Sequence, residues 1–421
     1  MGEAEEIRWP LKEAYTRLLG CKYWPWPLLK GWIPCVVADT LIFGDNLPIQ
    51  NIEPKMLVLG YDGFEYPVRR VFFREYSGPL IKIRVMMVPD PILITPEHPI
   101  LIKSGDNILW KRACELKAGD LLVVPRRRFC DEAKIPVGYR KGLKVRWVNV
   151  DKNVAYFLGL YLAEGCVVYY SQGRARITLN FGRRERDLVE RCLEIIRHVI
   201  GINAFISEEK TSLRIHINNT KLGRFLREKF GHGAINKHIP RFVKNLPYEE
   251  LREFVRGFMD GDGTYVRLKG RKSGRYQMRT SSRRLAYDLV EVLIKLGICP
   301  YVQRCLARSS RIGDRIIRHN TKYWYNIQVQ ENAWLGRKPK HGKISYEVTR
   351  NYIYVPIKSV EKTEHMRVGV WNLETDSETY CLPFVVHNCR FPLLKMAGRA
   401  PCDLCHRKYI YEALLRVKGA K

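Results

Sequence analysis

The stretch Leu382-Pro383-Phe384-Val385-Val386-His387-Asn388-Cys389 closes an apolar run with three reactive side chains. An asparagine amide can attack its own backbone carbonyl, close a succinimide ring and break the bond to the next residue, provided that a neighbour protonates the departing nitrogen. His387 is suited to that task because imidazole titrates near neutral pH. Cys389 carries the most nucleophilic of the neutral side chains. The tripeptide alone also fits a strand end with a core histidine and a buried cysteine, so the rest of the chain must decide.

The composition is that of a folded protein. The 421 residues are 46% hydrophobic and 11% aromatic, and this length suits two or three domains. A formal charge of +30 predicts a polyanionic partner, with nucleic acid the first candidate and a membrane surface the alternative. Long uncharged apolar runs are absent from the sequence, and the N-terminus is acidic, so we expect a soluble cytoplasmic protein that does not bind membranes. The 12 cysteines are scattered, as is typical of reduced thiols.

Short apolar runs alternate with turns from Cys35 to about residue 125, which predicts an all-β unit. Within it, Thr95-Pro96-Glu97-His98 places a hydroxyl and an imidazole on one tight turn between apolar strands. Such a pair can hold a backbone carbonyl and protonate the nitrogen that leaves it.

Three stretches of the chain resemble the splicing blocks of an intein, in that family's order: Cys35-Val36-Val37-Ala38-Asp39-Thr40, the Thr95–His98 turn, and the segment from Trp371-Asn372-Leu373-Glu374 to Cys389. The resemblance implies an all-β, horseshoe-like splicing (Hint) domain formed by residues 35–135 and 341–388. It implies that residues 1–34 and 389–421 are host segments. It also implies that Cys35 attacks the Pro34 carbonyl, with Thr95 and His98 stabilising the tetrahedral intermediate. Cys389 then takes the acyl group and Asn388 cyclises with help from His387, without a cofactor.

Two departures from the family pattern predict slow splicing. Pro34, directly before the first cysteine, constrains the carbonyl that is attacked. Asn372 stands where the family usually has an aspartate, which removes an ionisable group that would activate Cys389.

Two helices are predicted in the middle of the chain, each ending in a carboxylate. The first is capped by Asp151 and ends at Glu164, and the second ends at Asp262. Small residues one turn apart in each helix, Gly159 with Ala163 and Gly257 with Gly261, allow the backbones to pack closely. Two carboxylates at the negative ends of helix dipoles repel the dipoles and each other, and a divalent cation relieves both conflicts. Glu164 and Asp262 are therefore the predicted metal ligands.

After each of these helices come two strands and another helix, so two αββα units recur about one hundred residues apart. Residues 150–340 resemble a two-motif LAGLIDADG (DOD-type) homing endonuclease, on the motifs Phe157–Gly165 and Val255–Gly263. The resemblance implies an α+β, duplicated αββαββα domain inserted into the all-β domain, hence a mixed fold class. It further implies a monomer with an internal pseudo-two-fold axis that cleaves a long asymmetric site in double-stranded DNA with Mg²⁺.

Polar residues alternate with apolar ones along four predicted strands. These polar faces carry Arg, Asn and Gln without Asp or Glu, the residue types that hydrogen-bond base edges in the major groove, although alternation alone shows only a solvated face. The candidate DNA-binding residues are Arg174, Arg176, Asn180, Arg214, His216, Arg275, Gln277, Arg279, Asn326 and Gln328.

Two lysines complete the predicted nuclease site. The segment Asn236-Lys237-His238-Ile239-Pro240 resembles the family block with a catalytic lysine, and Lys322 falls where the other lysine is expected. Their expected role is to polarise the attacking water and offset charge on the scissile phosphate, and the alternative is a phosphate contact at the surface.

Three questions stay open at this point. The host segments contain Cys21, Cys402, Cys405 and His406, which could bind zinc, although the single Cys-x-x-Cys pair makes scattered core thiols the default. The chain could be an endonuclease that has lost splicing. It could also be a DNA-binding regulator without chemistry, but the paired carboxylates argue against that hypothesis.

Overall fold

The computed structural model describes residues 34–139, 144–170, 173–267, 269–270, 273–307, 310–312, 315–317, 321–337 and 346–388. Cys389, the candidate zinc ligands and the expected host segments, apart from Pro34, lie outside these residues. Across the described ranges, every helix is too short or too polar to cross a bilayer.

The described chain begins with short strands and tight turns. The 3₁₀ turns are Ile49–Asn51 and Ala113–Glu115. Gly63, in the Asp62-Gly63 turn between β4 and β5, has a φ of 83°, and a Cβ there would collide with the Arg126 carbonyl. The strands are β1 (Val36–Val37), β2 (Leu41–Ile42), β3 (Leu47–Pro48), β4 (Leu57–Leu59), β5 (Glu65–Val85), β6 (Ile92–Ile94), β7 (Pro99–Ser104), β8 (Asn107–Arg112) and β9 (Leu121–Pro125).

The middle of the chain alternates helices and strands. A two-stranded ribbon, β10 (Lys134–Tyr139) and β11 (Lys144–Asn149), precedes it. The elements that follow are α1 (Lys152–Glu164), β12 (Gly165–Tyr169), β13 (Ala175–Gly182), α2 (Arg186–Glu194) with a π-helical turn (Ile195–Val199), β14 (Ala204–Glu208), β15 (Ser212–Ile217), α3 (Thr220–Phe230), α4 (Arg241–Lys244), α5 (Tyr248–Asp262), β16 (Gly263–Val266), β17 (Arg275–Thr280), α6 (Arg283–Lys295), β18 (Tyr301–Leu306), β19 (Ser310–Ile312), β20 (Arg315–Ile317), β21 (Tyr323–Gln330) and α7 (Glu331–Trp334).

The duplication is visible in the sheets of this middle part. The first sheet has the order β12-β13-β15-β14 and the second the order β16-β17-β21-β18, so each begins with the strand that follows a long helix. Asp151 caps α1 as predicted, since its side chain accepts a hydrogen bond from the Val154 N–H (2.8 Å). Ser282 caps α6 in the same way, through a hydrogen bond from the Leu285 N–H (3.1 Å). The mixed fold class is therefore confirmed.

The chain ends in strands that return to the first part: β22 (Glu347–Val348), β23 (Tyr352–Thr375), β24 (Thr379–Cys381) and β25 (Val385–His387). They complete a sheet of 11 strands in the described ranges, with the central order β24-β25-β7-β9-β23-β1-β6-β5-β4. β5 and β23 pair antiparallel from Ile357↔Val85 to Thr375↔Val68. Residues 34–125 and 346–388 together form the all-β part, and residues 134–337 form the α+β part. The horseshoe shape stays a prediction.

Helices α1 and α5 pack backbone against backbone, as their small residues predict. A Cβ on Gly159 would collide with the Phe254 carbonyl oxygen, and a Cβ on Gly257 would collide with the Tyr156 carbonyl oxygen. Any larger side chain would push the helices apart. Their C-termini are therefore held close together.

A buried ion cluster joins the two parts; its members are Asn46 and Arg127 from the all-β side and Lys244, Asp288 and Glu291 from the α+β side. The Lys244 ammonium contacts Asp288 (2.6 Å), Glu291 (3.0 Å) and the Gly44 carbonyl (2.6 Å). Asn46 Nδ2 donates to both carboxylates at 2.8 Å, and Arg127 pairs with Glu291. All of these side chains are buried. Burial opposes ionisation of Glu291, but the charges of Arg127 and Lys244 lower its pKa to about 2.

Lys244→Met is expected to lower the free energy of unfolding by about 3–5 kcal/mol, because it leaves the buried Asp288 carboxylate without its cation and removes one of the two cations beside Glu291. The measurement is urea unfolding at pH 7. Arg367→Ala, which breaks the exposed pair with Glu75, is the control and changes it by less than about 1 kcal/mol. Equal effects of the two variants would contradict the role of the cluster.

Candidate active sites

Residues from the two ends of the all-β part meet at the connection between β6 and β7. β6 pairs with β1 through Ile94↔Val36, which places Cys35 beside Thr95. β7 pairs with β25 through Ile100↔Val386, which places His387 beside the same connection. We call the group Cys35, Thr95, His98, His387 and Asn388 the junction site. All five residues are buried.

Thr95 forms two hydrogen bonds with the backbone of Cys35. The Cys35 N–H donates to Thr95 Oγ1 (3.0 Å), and the Thr95 N–H donates to the Cys35 carbonyl (2.9 Å). The threonine hydroxyl therefore contacts the nitrogen of the Pro34–Cys35 peptide bond.

His98 lies between the two terminal segments. Burial lowers the pKa of its imidazole to about 3, and the His387 charge lowers it further, whereas the backbone of Cys35 and of His387 acts in the opposite direction. Within the described residues, neither ring nitrogen of His98 has a hydrogen-bond partner that satisfies both the distance and the angle of a hydrogen bond. At neutral pH the imidazole is therefore uncharged and in reach of both backbones.

The Cys35 thiol is also held in its neutral form. Burial raises its pKa to about 11, and the nearby Arg74 guanidinium opposes that shift. Arg74, on β5, is itself paired with Glu97 of the Thr95–His98 turn (3.3 Å). Arg74 was not predicted as part of this site, because a single arginine within a strand carries no local signal in the sequence.

Asn388 is held by hydrogen bonds to the end of β23 and to the turn between β23 and β24. The Asn388 N–H donates to the Glu378 carbonyl (2.9 Å), and Asn388 Nδ2 donates to Thr375. The His387 ring packs edge-on against Trp110, with the ring centroids 5.2 Å apart. Asn372, the departure from the family pattern, is buried and accepts a hydrogen bond from the Tyr380 hydroxyl (2.9 Å).

The predicted metal ligands lie at the adjacent ends of α1 and α5, and we call Glu164 and Asp262 the acid pair. Burial and then the charge of Asp262 raise the pKa of Glu164 to about 7. Desolvation raises the pKa of Asp262 to about 6, against the opposing charge of Lys237. Two buried carboxyl groups with raised pKa values, one of them raised further by the charge of the other, fit a hard divalent cation, which would replace the protons. The described residues contain no cluster of three or more His, Cys, Asp or Glu.

The two candidate lysines have different positions. Lys237 Nζ donates to the carbonyls of Leu162 (2.6 Å) and Ala163 (2.9 Å) at the end of α1. Burial lowers its pKa, while the charges of the acid pair oppose that shift. Lys322 is exposed, and its ammonium lies 5.5 Å from the centroid of the Tyr323 ring. The structure therefore brings Lys237 into electrostatic contact with the acid pair.

The polar strand faces belong to the two four-stranded sheets. In the first sheet Thr178 pairs with His216 and Asn180 with Arg214. In the second, the cross-strand pairs are Arg275↔Gln330, Gln277↔Gln328 and Arg279↔Asn326. The predicted DNA-binding residues on these strands therefore share a face within each sheet.

Several of these side chains have partners within the protein. Arg176 contacts Asn218 (2.8 Å), Arg214 pairs with Glu209 (2.5 Å), and His216 contacts Ser207 (2.8 Å). Gln328 donates to Gln303 (3.3 Å), which the sequence analysis missed. Arg174 is exposed, whereas Gln277, Asn326 and Gln328 are buried. Binding to bases would thus require some of these contacts to be exchanged.

The family model of a LAGLIDADG-like domain matches residues 249–325. This range contains most of α5, the Asp262 carboxylate and much of the second sheet, and the match confirms the LAGLIDADG portion of the resemblance.

Curated proteins match over more of the chain. The iron–sulfur cluster assembly SufBD family protein of Mycobacterium tuberculosis H37Rv is 26% identical over 398 residues, which cover 87% of this chain and 44% of that protein. The ATP-dependent DNA helicase Hel308 of Thermococcus kodakarensis is 30% identical over 393 residues, which cover 79% of this chain and 34% of the helicase. The chain thus spans less than half the length of these relatives.

Solved structures are similar at a lower level. The crystal structure of I-DmoI in complex with DNA and Ca is 13% identical, covers 44% of this chain and 87% of that chain, and has a TM-score of 0.31. The crystal structure of the gp41-1 intein is 23% identical, covers 22% of this chain and 68% of that chain, and has a TM-score of 0.18.

Asp262→Asn is expected to lower the pKa of Glu164, because it removes the neighbouring like charge. The measurement is an NMR pH titration of the protein labelled with ¹³C at glutamate carboxyl groups. Glu185→Gln removes a weaker like charge and should lower the Glu164 pKa less. An unchanged Glu164 pKa in Asp262→Asn would show that the two carboxylates do not interact.

Proposed function

We propose that the chain is a self-splicing precursor that excises residues 35–388, joins its flanks, and carries a site-specific double-strand DNA endonuclease. The observation that carries the splicing half is the convergence of both ends of the all-β part on His98. Cys35 and Asn388 are far apart in the sequence, and a structural core has no need to bring a thiol, two imidazoles and an asparagine into one buried group.

In the first step the Cys35 thiol attacks the Pro34 carbonyl and displaces the Cys35 nitrogen, which forms a thioester. The neutral His98 imidazole accepts the thiol proton and returns it to the departing nitrogen. The Thr95 hydroxyl, already on that nitrogen at 3.0 Å, holds the peptide bond during the attack.

In the following steps Cys389 takes the acyl group from Cys35, and Asn388 cyclises with breakage of its bond to Cys389. His387 supplies the proton to the departing Cys389 nitrogen. An S-to-N acyl shift then leaves an ordinary peptide bond between Pro34 and Cys389. Each acyl group and each proton that leaves one group of the chain is taken up by another group of the chain, so no co-reactant is needed.

The relatives support an inserted element. Proteins named for unrelated tasks, iron–sulfur cluster assembly and DNA unwinding, each match about four fifths or more of this chain but less than half of their own length. A segment shared by such different proteins is expected of an element that moves between hosts.

Slow splicing is supported by the protonation states. Burial raises the pKa of the Cys35 thiol and lowers the pKa of the His98 imidazole, so both groups are held in their neutral forms and proton transfer between them is disfavoured. This barrier adds to the constraint from Pro34 and to the missing acid at Asn372.

For the nuclease half, Glu164 and Asp262 would hold Mg²⁺. The bound ion supplies a Lewis acid that activates water and stabilises charge on the scissile phosphate. Lys237, hydrogen-bonded to the end of α1, fixes that helix end and places positive charge beside the acid pair. Lys322, exposed at the start of β21, is better suited to a phosphate contact.

The position of the acid pair suits a DNA-cleaving site. Glu164 directly precedes β12 and Asp262 directly precedes β16, which are the edge strands of the two sheets. The acid pair therefore lies where the two sheets begin, with a polar face on each. A long double-stranded site read on both sides of the cut fits this arrangement and the charge of +30.

A second candidate is an endonuclease whose splicing activity is lost. The deep burial of Cys35 and the replacement Asn372 favour this alternative. Both hypotheses share the nuclease half and differ only in the fate of residues 1–34 and 389–421.

Mass spectrometry of the full chain after expression separates these candidates. We expect the precursor to decline over hours, while an excised 35–388 fragment and a joined product accumulate. Cys35→Ala and Asn388→Ala should each abolish joining, and Cys130→Ala, which removes an exposed thiol, should not. If the unmodified chain and the three variants all gave the same pattern of products, only the hypothesis of an endonuclease without splicing would remain.

The nuclease half is tested by incubating the chain with random plasmid libraries and Mg²⁺. The expected result is cleavage at one long site, which Asp262→Asn reduces at least about a hundredfold. Asp106→Asn, at an exposed turn between β7 and β8, is the control with unchanged cleavage. Binding of DNA without cuts would indicate a regulator that lacks chemistry.

A further inference from the structure

We propose that Thr375 is a positioning residue for the cyclisation of Asn388, in which its two oxygens hold the attacking side-chain amide. The inference rests on the proposed splicing function and deepens it. No feature of the Thr375 sequence context suggests this role, because the residue lies in an ordinary strand-to-turn segment.

The contact is direct and buried. Asn388 Nδ2 donates to Thr375 Oγ1 (3.0 Å) and to the Thr375 carbonyl oxygen (3.3 Å). Both residues are fully buried. Asn388 Oδ1 has no hydrogen-bond partner among the described residues, so the described side-chain hydrogen bonds hold the amide through Nδ2.

The orientation of the Thr375 hydroxyl is set by its neighbours. Its Oγ1 donates to the Thr379 carbonyl (2.8 Å) and lies 3.2 Å from Ser377 Oγ. Since the hydroxyl proton points to Thr379, a lone pair of Oγ1 is left to accept from Asn388 Nδ2. Threonine is thus used as an acceptor at this position.

The backbone around Thr375 is built irregularly to make this contact. The β5–β23 register shifts between Glu374 and Thr375, where the partner changes from Arg70 to Val68. Glu378, whose carbonyl holds the Asn388 N–H, has a φ of 57°. Bulges and left-handed residues of this kind re-aim side chains and are frequent at functional sites.

The chemistry explains the use of two acceptors on Nδ2. In cyclisation a bond forms between Nδ2 and the Asn388 carbonyl carbon, and the bond from that carbon to the Cys389 nitrogen breaks. Nδ2 loses one proton and the Cys389 nitrogen gains one from His387, which is then restored by the proton from Nδ2. Two acceptors within hydrogen-bond distance of Nδ2 orient the amide and make its nitrogen the better nucleophile.

The test uses the Cys35→Ala chain, in which cyclisation of Asn388 is followed alone as release of residues 389–421. Mass spectrometry identifies the released 1–388 product by its succinimide end, which is one water lighter than the acid. Thr375→Val should slow the release about tenfold, as expected for one lost hydrogen bond in the reacting state. Thr375→Ser, which keeps the hydroxyl, should restore the rate to within about threefold.

Thr363→Val is the matched control on the same strand. The Thr363 hydroxyl accepts from the Leu80 N–H, far from the junction site, and its loss should leave the rate within about twofold. Equal rates for Thr375 and Thr375→Val would overturn the inference, as would a Thr375→Ser variant as slow as Thr375→Val, which would indicate a packing role. Failure of both the unmodified and the Cys35→Ala chain to release residues 389–421 would instead overturn the proposed splicing.

Discussion

The antiparallel pairing of β5 with β23 is the constraint on which the rest of the structure depends. It joins residues 65–85 to residues 352–375 across the whole α+β part. Val370 of β23 pairs with both Arg74 of β5 and Val37 of β1, so the same strand sets the position of Cys35. The end of β23 then sets the position of Asn388 through Thr375. Cys35 and Asn388, the two ends of the segment that we propose is excised, are therefore both positioned by one strand.

The same pairing explains how an α+β part can be accommodated within an all-β part. The chain leaves the sheet after β9 and returns at β22, and β9 pairs with β23 at Tyr352↔Pro125. Exit and return points are therefore adjacent, and an insertion between them does not strain the sheet. The buried ion cluster also joins the two parts through direct contacts. Asp288 and Glu291 on α6 pair with Lys244 on α4, and Asn46 and Arg127, from outside the α+β part, add a hydrogen bond to each acid and an ion pair to Glu291.

Burial disfavours the charged forms of the reactive groups at both candidate sites. At the junction site it keeps Cys35 and His98 in their neutral forms. At the acid pair it raises the pKa of Glu164 to about 7 and that of Asp262 to about 6, and the charge of Asp262 adds to the shift of Glu164. The first arrangement suits the splicing reaction that we propose, which runs once, and the second suits the metal site that we propose.

The sequence by itself determined the local features. Caps, glycine spacing and period-two alternation predicted α1, α5, the acid pair and the polar strand faces, because these signals lie within one element or recur in the duplicate. Only the tertiary structure decided the contacts between residues distant in sequence: Arg74 beside Cys35, Thr375 on Asn388, the buried ion cluster, and Lys237 at the end of α1. The physical reason is that a charged or hydroxyl side chain on a strand looks the same in sequence whether it faces water or a buried partner, and register across hundreds of residues makes that choice.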